Sequence, residues 1–72
     1  MLRYRFLGME NGEMIFAYYP EGDESAPGKV ALTDDGDGRV IESSTEDFGN
    51  WYAFHAIRHI DRTKTSGTVA WY

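Results

Sequence analysis

The chain reads as a small α+β domain. An antiparallel sheet of two hairpins and a C-terminal strand, in the order ββββαβ, carries one helix on one face. Three observations predict this. Asn11-Gly12 separates two β-prone runs, an Asp/Gly turn separates two more, and helical periodicity occurs only between about Glu46 and Thr63.

The first hairpin spans Leu2 to Tyr19, with LRYRFLG and EMIFAYY flanking Glu10-Asn11-Gly12-Glu13. Asn-Gly tolerates the positive φ that a type I′ turn needs at both central positions. If these two form the loop, Met9 faces Met14, Leu7 faces Phe16, Arg5 faces Tyr18 and Tyr4 faces Tyr19. Side chains alternate along a strand, so Leu2, Tyr4, Phe6, Ile15, Ala17 and Tyr19 share an uncharged face, the expected core. Arg3, Arg5, Leu7, Met9, Met14, Phe16 and Tyr18 share the other.

PEGDESAPG, Pro20 to Gly28, holds both prolines and is an acidic surface loop. Lys29 to Thr33 and Arg39 to Ser43 form a second hairpin around DDGDG. Ser44 or Thr45 then caps the helix, with Asp47 as its capping-box acid, and the helix runs from about Glu46 to Thr63. Phe48, Tyr52, Ala53, Ala56, Ile57 and Ile60 make its core stripe, with His59 at the edge. Asn50, Phe54, Arg58, Asp61 and Arg62 lie opposite, and Trp51 and His55 lie between. Lys64 to Gly67 end the helix, and Thr68 to Tyr72 form the last strand. If the helix returns the chain to the start of the sheet, the strand order is 5-1-2-3-4.

With 72 residues the chain fits one domain, 1–72. A domain of this size buries only about 60% of the surface its unfolded chain exposes, so its core is small. No cysteine is present to cross-link it. Apolar residues at 42% and aromatics at 15% supply the packing instead. A net charge of −5 disfavours nucleic acid and anionic membrane as partners. No run of about 18 apolar residues is available to span a bilayer. Without cysteine or a leader-like N-terminus, the expected setting is the cytoplasm of a bacterial cell.

Several motifs resemble chemistry and fall short of it. DFG at Asp47-Phe48-Gly49 has none of the kinase loops that give the tripeptide meaning. His55 and His59 are spaced to share a metal, but HAIRH lacks the glutamate of HExxH and no third donor is evident. Asp35, Asp37 and Gly38 fit positions three, five and six of a calcium loop, whereas Thr33 and Ser44 stand where acids belong. No G-x-S-x-G elbow occurs. Neither a metal nor a cofactor is implied, and an enzyme is not expected.

The mixed sheet face is the most informative surface. If one helix covers the other face, this one stays open, and clustered Arg, Tyr, Phe and Met are typical of interface cores. The expected function is therefore a non-enzymatic binding or regulatory module acting through this face on a protein partner or on itself as a homodimer. Arg5, Phe16 and Tyr18 are its first candidates, with Leu7 and Met14 beside them. Trp51, His55, Arg58 and Arg62 on the helix are secondary. The alternative is a single-stranded nucleic-acid or small-ligand binder using the basic and aromatic strand and helix residues. An acidic mimic of nucleic acid ranks last.

Overall fold

A computed structural model of the protein describes residues 1–70. Among these, five strands form one antiparallel sheet: β1 Leu2–Glu10, β2 Glu13–Pro20, β3 Gly28–Leu32, β4 Gly38–Glu42 and β5 Ser66–Val69. Their order is β4-β3-β2-β1-β5, as expected. A single turn of 3₁₀ helix, Phe48–Asn50, leads into α1, Trp51–His59, which covers one face of the sheet. Trp71 and Tyr72 of the expected last strand lie outside the described residues.

The first turn forms as expected. Asn11 and Gly12 take φ of 51° and 80°, and Met9 pairs with Met14. The register then shifts between Phe6 and Gly8, where Leu7 is an extra residue in β1. Gly8, at φ 147°, supplies the backbone conformation that this bulge requires. Beyond it, Phe6 pairs with Phe16, Arg5 with Ala17 and Tyr4 with Tyr18. A shift of one residue moves every later side chain of the partner strand to the opposite face.

The faces of β2 are therefore the reverse of those expected. Phe16 and Tyr18 are fully buried under α1, and Met14 packs against the same core. Ile15, Ala17 and Tyr19 lie on the far side. The β1 assignment holds: Leu2 and Tyr4 are buried in the core, Phe6 packs against it, and Arg3 and Arg5 are exposed. On the far side Ile15, Ala17 and Ala31 are nevertheless at most 5% exposed. Their register neighbours include Arg5, Lys29 and Arg39, whose long stems screen small residues while the charges stay in water.

The core is aromatic and close-packed. Tyr4 and Phe6 meet Phe16 at ring distances of 5.9 and 5.3 Å. Ala53 and Ala56, both fully buried, let α1 lie close to this layer. Two glycines on neighbouring strands make room for the tyrosines. A Cβ on Gly28 would sit 2.3 Å from the Tyr18 ring, and one on Gly67 would sit 2.5 Å from the Tyr4 hydroxyl oxygen.

The helix is shorter at both ends than periodicity alone suggests. Gly49 and Asn50 adopt left-handed φ of 69° and 59°, so α1 cannot begin before Trp51. Asp47 nonetheless caps it from a distance: its two carboxylate oxygens accept from the backbone N–H groups of Tyr52 (2.9 Å) and Ala53 (3.0 Å). At the other end Ile60 turns to extended backbone. Asp61 Oδ1 then accepts from the Thr63 N–H at 2.9 Å and from its hydroxyl, an Asx turn that stops the helix. No described helix is long and apolar enough to cross a membrane.

Candidate functional site

Two surfaces carry side chains that the core does not use. On the outward side of α1 two large aromatics stand in water, Trp51 at 60% exposure and Phe54 at 55%, and Phe48, in the turn that leads into the helix, is 89% exposed. Tyr52, Ala53, Ala56, Ile57 and Ile60 occupy the side that meets the sheet. Phe48 was expected in that core stripe. The left-handed Gly49-Asn50 step breaks the helical register before it and turns it outward instead.

Along the same side the Trp51 ring meets His55 edge-on at 4.9 Å, and His55 stacks on His59 at 6.0 Å. Burial holds the His55 imidazole below its ordinary pKa, and the nearby His59, Arg58 and the N-terminal ammonium add to that. His55 is accordingly neutral at pH 7. Arg58 is exposed. Among the described residues, Arg58 takes part in no ion pair or hydrogen bond. Arg62 lies apart, with Nη2 donating to the Asp37 carbonyl at 3.4 Å over the β3–β4 turn.

The far side of the sheet holds two shallow grooves. One, of about 390 Å³, is lined by Leu7, Gly8, Met9, Glu10, Ile15, Lys29 and Ile41. The other, of about 310 Å³, lies over β1 and β5, where Arg3 and Arg5 face Tyr19, Ser66 and Thr68. Arg5 there pairs loosely with Glu24 at 3.6 Å, both groups well exposed. A bidentate pair of Arg39 with Glu13, at 2.9 and 3.2 Å, crosses the sheet beyond the first groove and holds the Glu13 carboxyl below its usual range.

Of the residues expected at an interface, Arg5 and Leu7 are exposed, whereas Phe16 and Tyr18 lie inside the core. The five are not brought together on one surface. Trp51, His55 and Arg58 are brought together on one side of α1, and Phe54 joins them by helical spacing. Phe54 was legible as an outward residue from helical spacing. Phe48 was not, because its exposure follows from the break at Gly49-Asn50.

The motifs suggestive of metal chemistry have structural uses. Asp35 accepts from the Thr33 hydroxyl, and Thr33 N–H bonds the Asp37 carbonyl at 2.9 Å, closing the hairpin turn on itself. Among the described residues no three histidine or carboxylate side chains converge as a ligand set. Asp47 accepts from the Tyr18 hydroxyl at 2.9 Å, and that hydroxyl accepts from the Ser44 N–H at 3.1 Å. Ser44 in turn donates to the Ala26 carbonyl at 2.5 Å. This buried chain joins sheet, loop and helix, and its polar atoms are used by one another. In comparisons with known proteins, the chain matches no family model, no curated protein and no solved structure.

Proposed function

We propose that the protein is a small non-enzymatic binding module that acts through protein–protein contacts, with the outward side of α1 as its docking surface. One observation carries this reading: Trp51 and Phe54 stand exposed on one side of the helix, beside His55 and Arg58, while the core is complete without them. A contiguous exposed apolar patch on a small domain commonly marks an interaction site, and Trp, Phe and Arg are favoured at interface centres. The sheet face supports the same function less well. The aromatics expected on it, Phe16 and Tyr18, face the core instead, and Leu7, Ile15 and Ile41 line only a shallow groove.

The test is comparative capture with the intact chain, the double variant Trp51→Ser/Phe54→Ser, and the sheet variant Ile41→Glu. All three substituted residues are exposed, so each variant should keep its stability within about 0.5 kcal/mol. Proteins retained by the parent and by the sheet variant, and lost by the helix variant, are the expected outcome. Equal retention by the helix variant counts against the reading.

A second reading rests on the groove over β1 and β5. Arg3 and Arg5 beside the hydroxyls of Tyr19, Ser66 and Thr68 suit an anionic ligand or a short single strand. The net charge of −5 opposes it. Titration with a short oligonucleotide at low and moderate salt, repeated with Arg3→Ala/Arg5→Ala, decides it: salt-sensitive binding lost in the variant supports the groove.

A further inference from the structure

We infer that the occupant of the outward side of α1 is a second copy of this chain, docked antiparallel about a two-fold axis near Phe54 and His55. The inference rests on the docking surface proposed above and names its partner. In an antiparallel helix pair related by a two-fold axis, facing residues have a constant sum of positions, and the same patch serves both chains. An axis between Phe54 and His55 sets Trp51 against Arg58 of the partner subunit. It also sets Phe54 against His55 of the partner subunit.

This patch carries its own complement. Its N-terminal half is aromatic, with Trp51 and Phe54 exposed, and its C-terminal half carries the exposed Arg58 guanidinium. From Phe48 to Ile60 the sequence contains no acid, so nothing on the helix itself satisfies the guanidinium. Arg58 has no ion pair or hydrogen bond among the described residues. A guanidinium over an indole face is a favourable contact that strengthens as water leaves. Two-fold docking makes that contact twice and leaves no like charges opposed at the axis, since burial keeps His55 neutral at pH 7.

The available area is of the right order. A stable interface at the small end of the range needs about 600 Å² from each chain. That is about an eighth of the 4506 Å² of accessible surface. At roughly 150–250 Å² for a full aromatic side chain, the exposed parts of Trp51 and Phe54 amount to about 250 Å², and Phe48 at the entry to the helix adds a further exposed ring. The stems of Arg58 and His59 supply much of the rest.

Sedimentation equilibrium of the intact chain from about 10 μM to about 1 mM tests this. The expected result is a monomer–dimer equilibrium that Trp51→Ala and Arg58→Ala each weaken by about 10-fold or more. Mixing the two variants is the sharper arm. Either variant alone has no complete Trp51–Arg58 contact, whereas the mixed dimer keeps one, so the mixture must associate more tightly than either component. Phe54→Arg, which sets two like charges at the axis, should abolish the dimer with the far-UV circular dichroism of the monomer unchanged. Ile41→Glu should leave the dimer intact. A parent that stays monomeric at about 1 mM overturns the inference, as does a dimer indifferent to Trp51 and Arg58, or a mixture no tighter than its components. A monomeric parent removes the second copy as occupant without touching the capture result. The docking surface itself fails only if the helix variant retains every protein that the parent retains.

Discussion

Tyr18 and Tyr4 hold opposite ends of the helix. The Tyr18 hydroxyl donates to the Asp47 carboxylate that caps α1, while the Tyr4 hydroxyl accepts from the Asp61 N–H, at 3.3 Å, where the helix has ended. Replacing Tyr18 by Phe leaves a buried carboxylate with one donor fewer and the Ser44 N–H without its acceptor. The expected cost is about 1–3 kcal/mol, read from the urea midpoint. The pH dependence gives a second signature. Burial pushes the Tyr18 phenol up to about 12, the Asp47 carboxylate adds to this and the Ser44 N–H opposes it. The folded value lies above the unfolded value of about 10, so the contribution is complete below pH 10 and is lost as pH rises through 12. The midpoint should therefore fall across that window in the parent and fall less steeply in Tyr18→Phe. A residual slope belongs to Tyr52, whose phenol the Glu21 carboxylate also raises.

At the scale of elements, one inserted residue decides which face of β2 is core. The alternation of LRYRFLG and EMIFAYY was legible, and so was the Asn11-Gly12 turn that joins them. The bulge at Leu7 was not, because a Gly inside a strand marks a bulge only when the partner strand is known. A one-residue shift exchanged Phe16 and Tyr18 for Ile15, Ala17 and Tyr19, and so emptied the expected sheet interface of its aromatics. The helix start failed for a related reason. Hydrophobic spacing continues through Phe48, but Gly49-Asn50 carries the same left-handed preference that was read correctly at Asn11-Gly12. The strand order followed from two hairpins and a helix that returns the chain to the start of the sheet, and it stands. Gly28 shows how tightly the resulting sheet is built: its missing Cβ is the space that the Tyr18 ring fills. Gly28→Ala should cost about 1–3 kcal/mol in thermal or denaturant unfolding, because neither the β3 backbone nor the clamped ring can move aside freely. An unchanged melting point would mean that the Tyr18 ring is not clamped as described.

The whole molecule divides its charge from its apolar surface, and that division sets how it meets acid. Five carboxyls are held below their usual range by local donors: Glu13 by Arg39, Glu21 by the N-terminal ammonium, Asp35 by Thr33, Asp61 by Thr63, and Asp23, at about 2, chiefly by Ser25. Each contributes stability above its unfolded pKa, near 4, and loses it as pH falls through the lower folded value. Glu46 works in the opposite sense, since the neighbouring Asp23 raises it. His55 adds an earlier step. Its folded pKa lies below the unfolded value of about 6.5, so the stability it contributes is complete above that pH and declines as pH falls toward the folded value. Urea midpoints measured from pH 8 down to pH 2 should therefore fall in two stages, a shallow one beginning near pH 6.5 and a steeper one below about pH 4.5. His55→Gln should flatten the first stage and leave the second. About 1 M salt should flatten only the share of the second that comes from the ion pairs Glu13–Arg39 and Glu21 with the N-terminal ammonium. Salt screens charges and leaves the hydroxyl and backbone donors of Asp23, Asp35 and Asp61 in place. A single transition that both changes leave untouched would overturn this account, because it would mean that neither His55 nor the paired surface carboxyls set the response to acid.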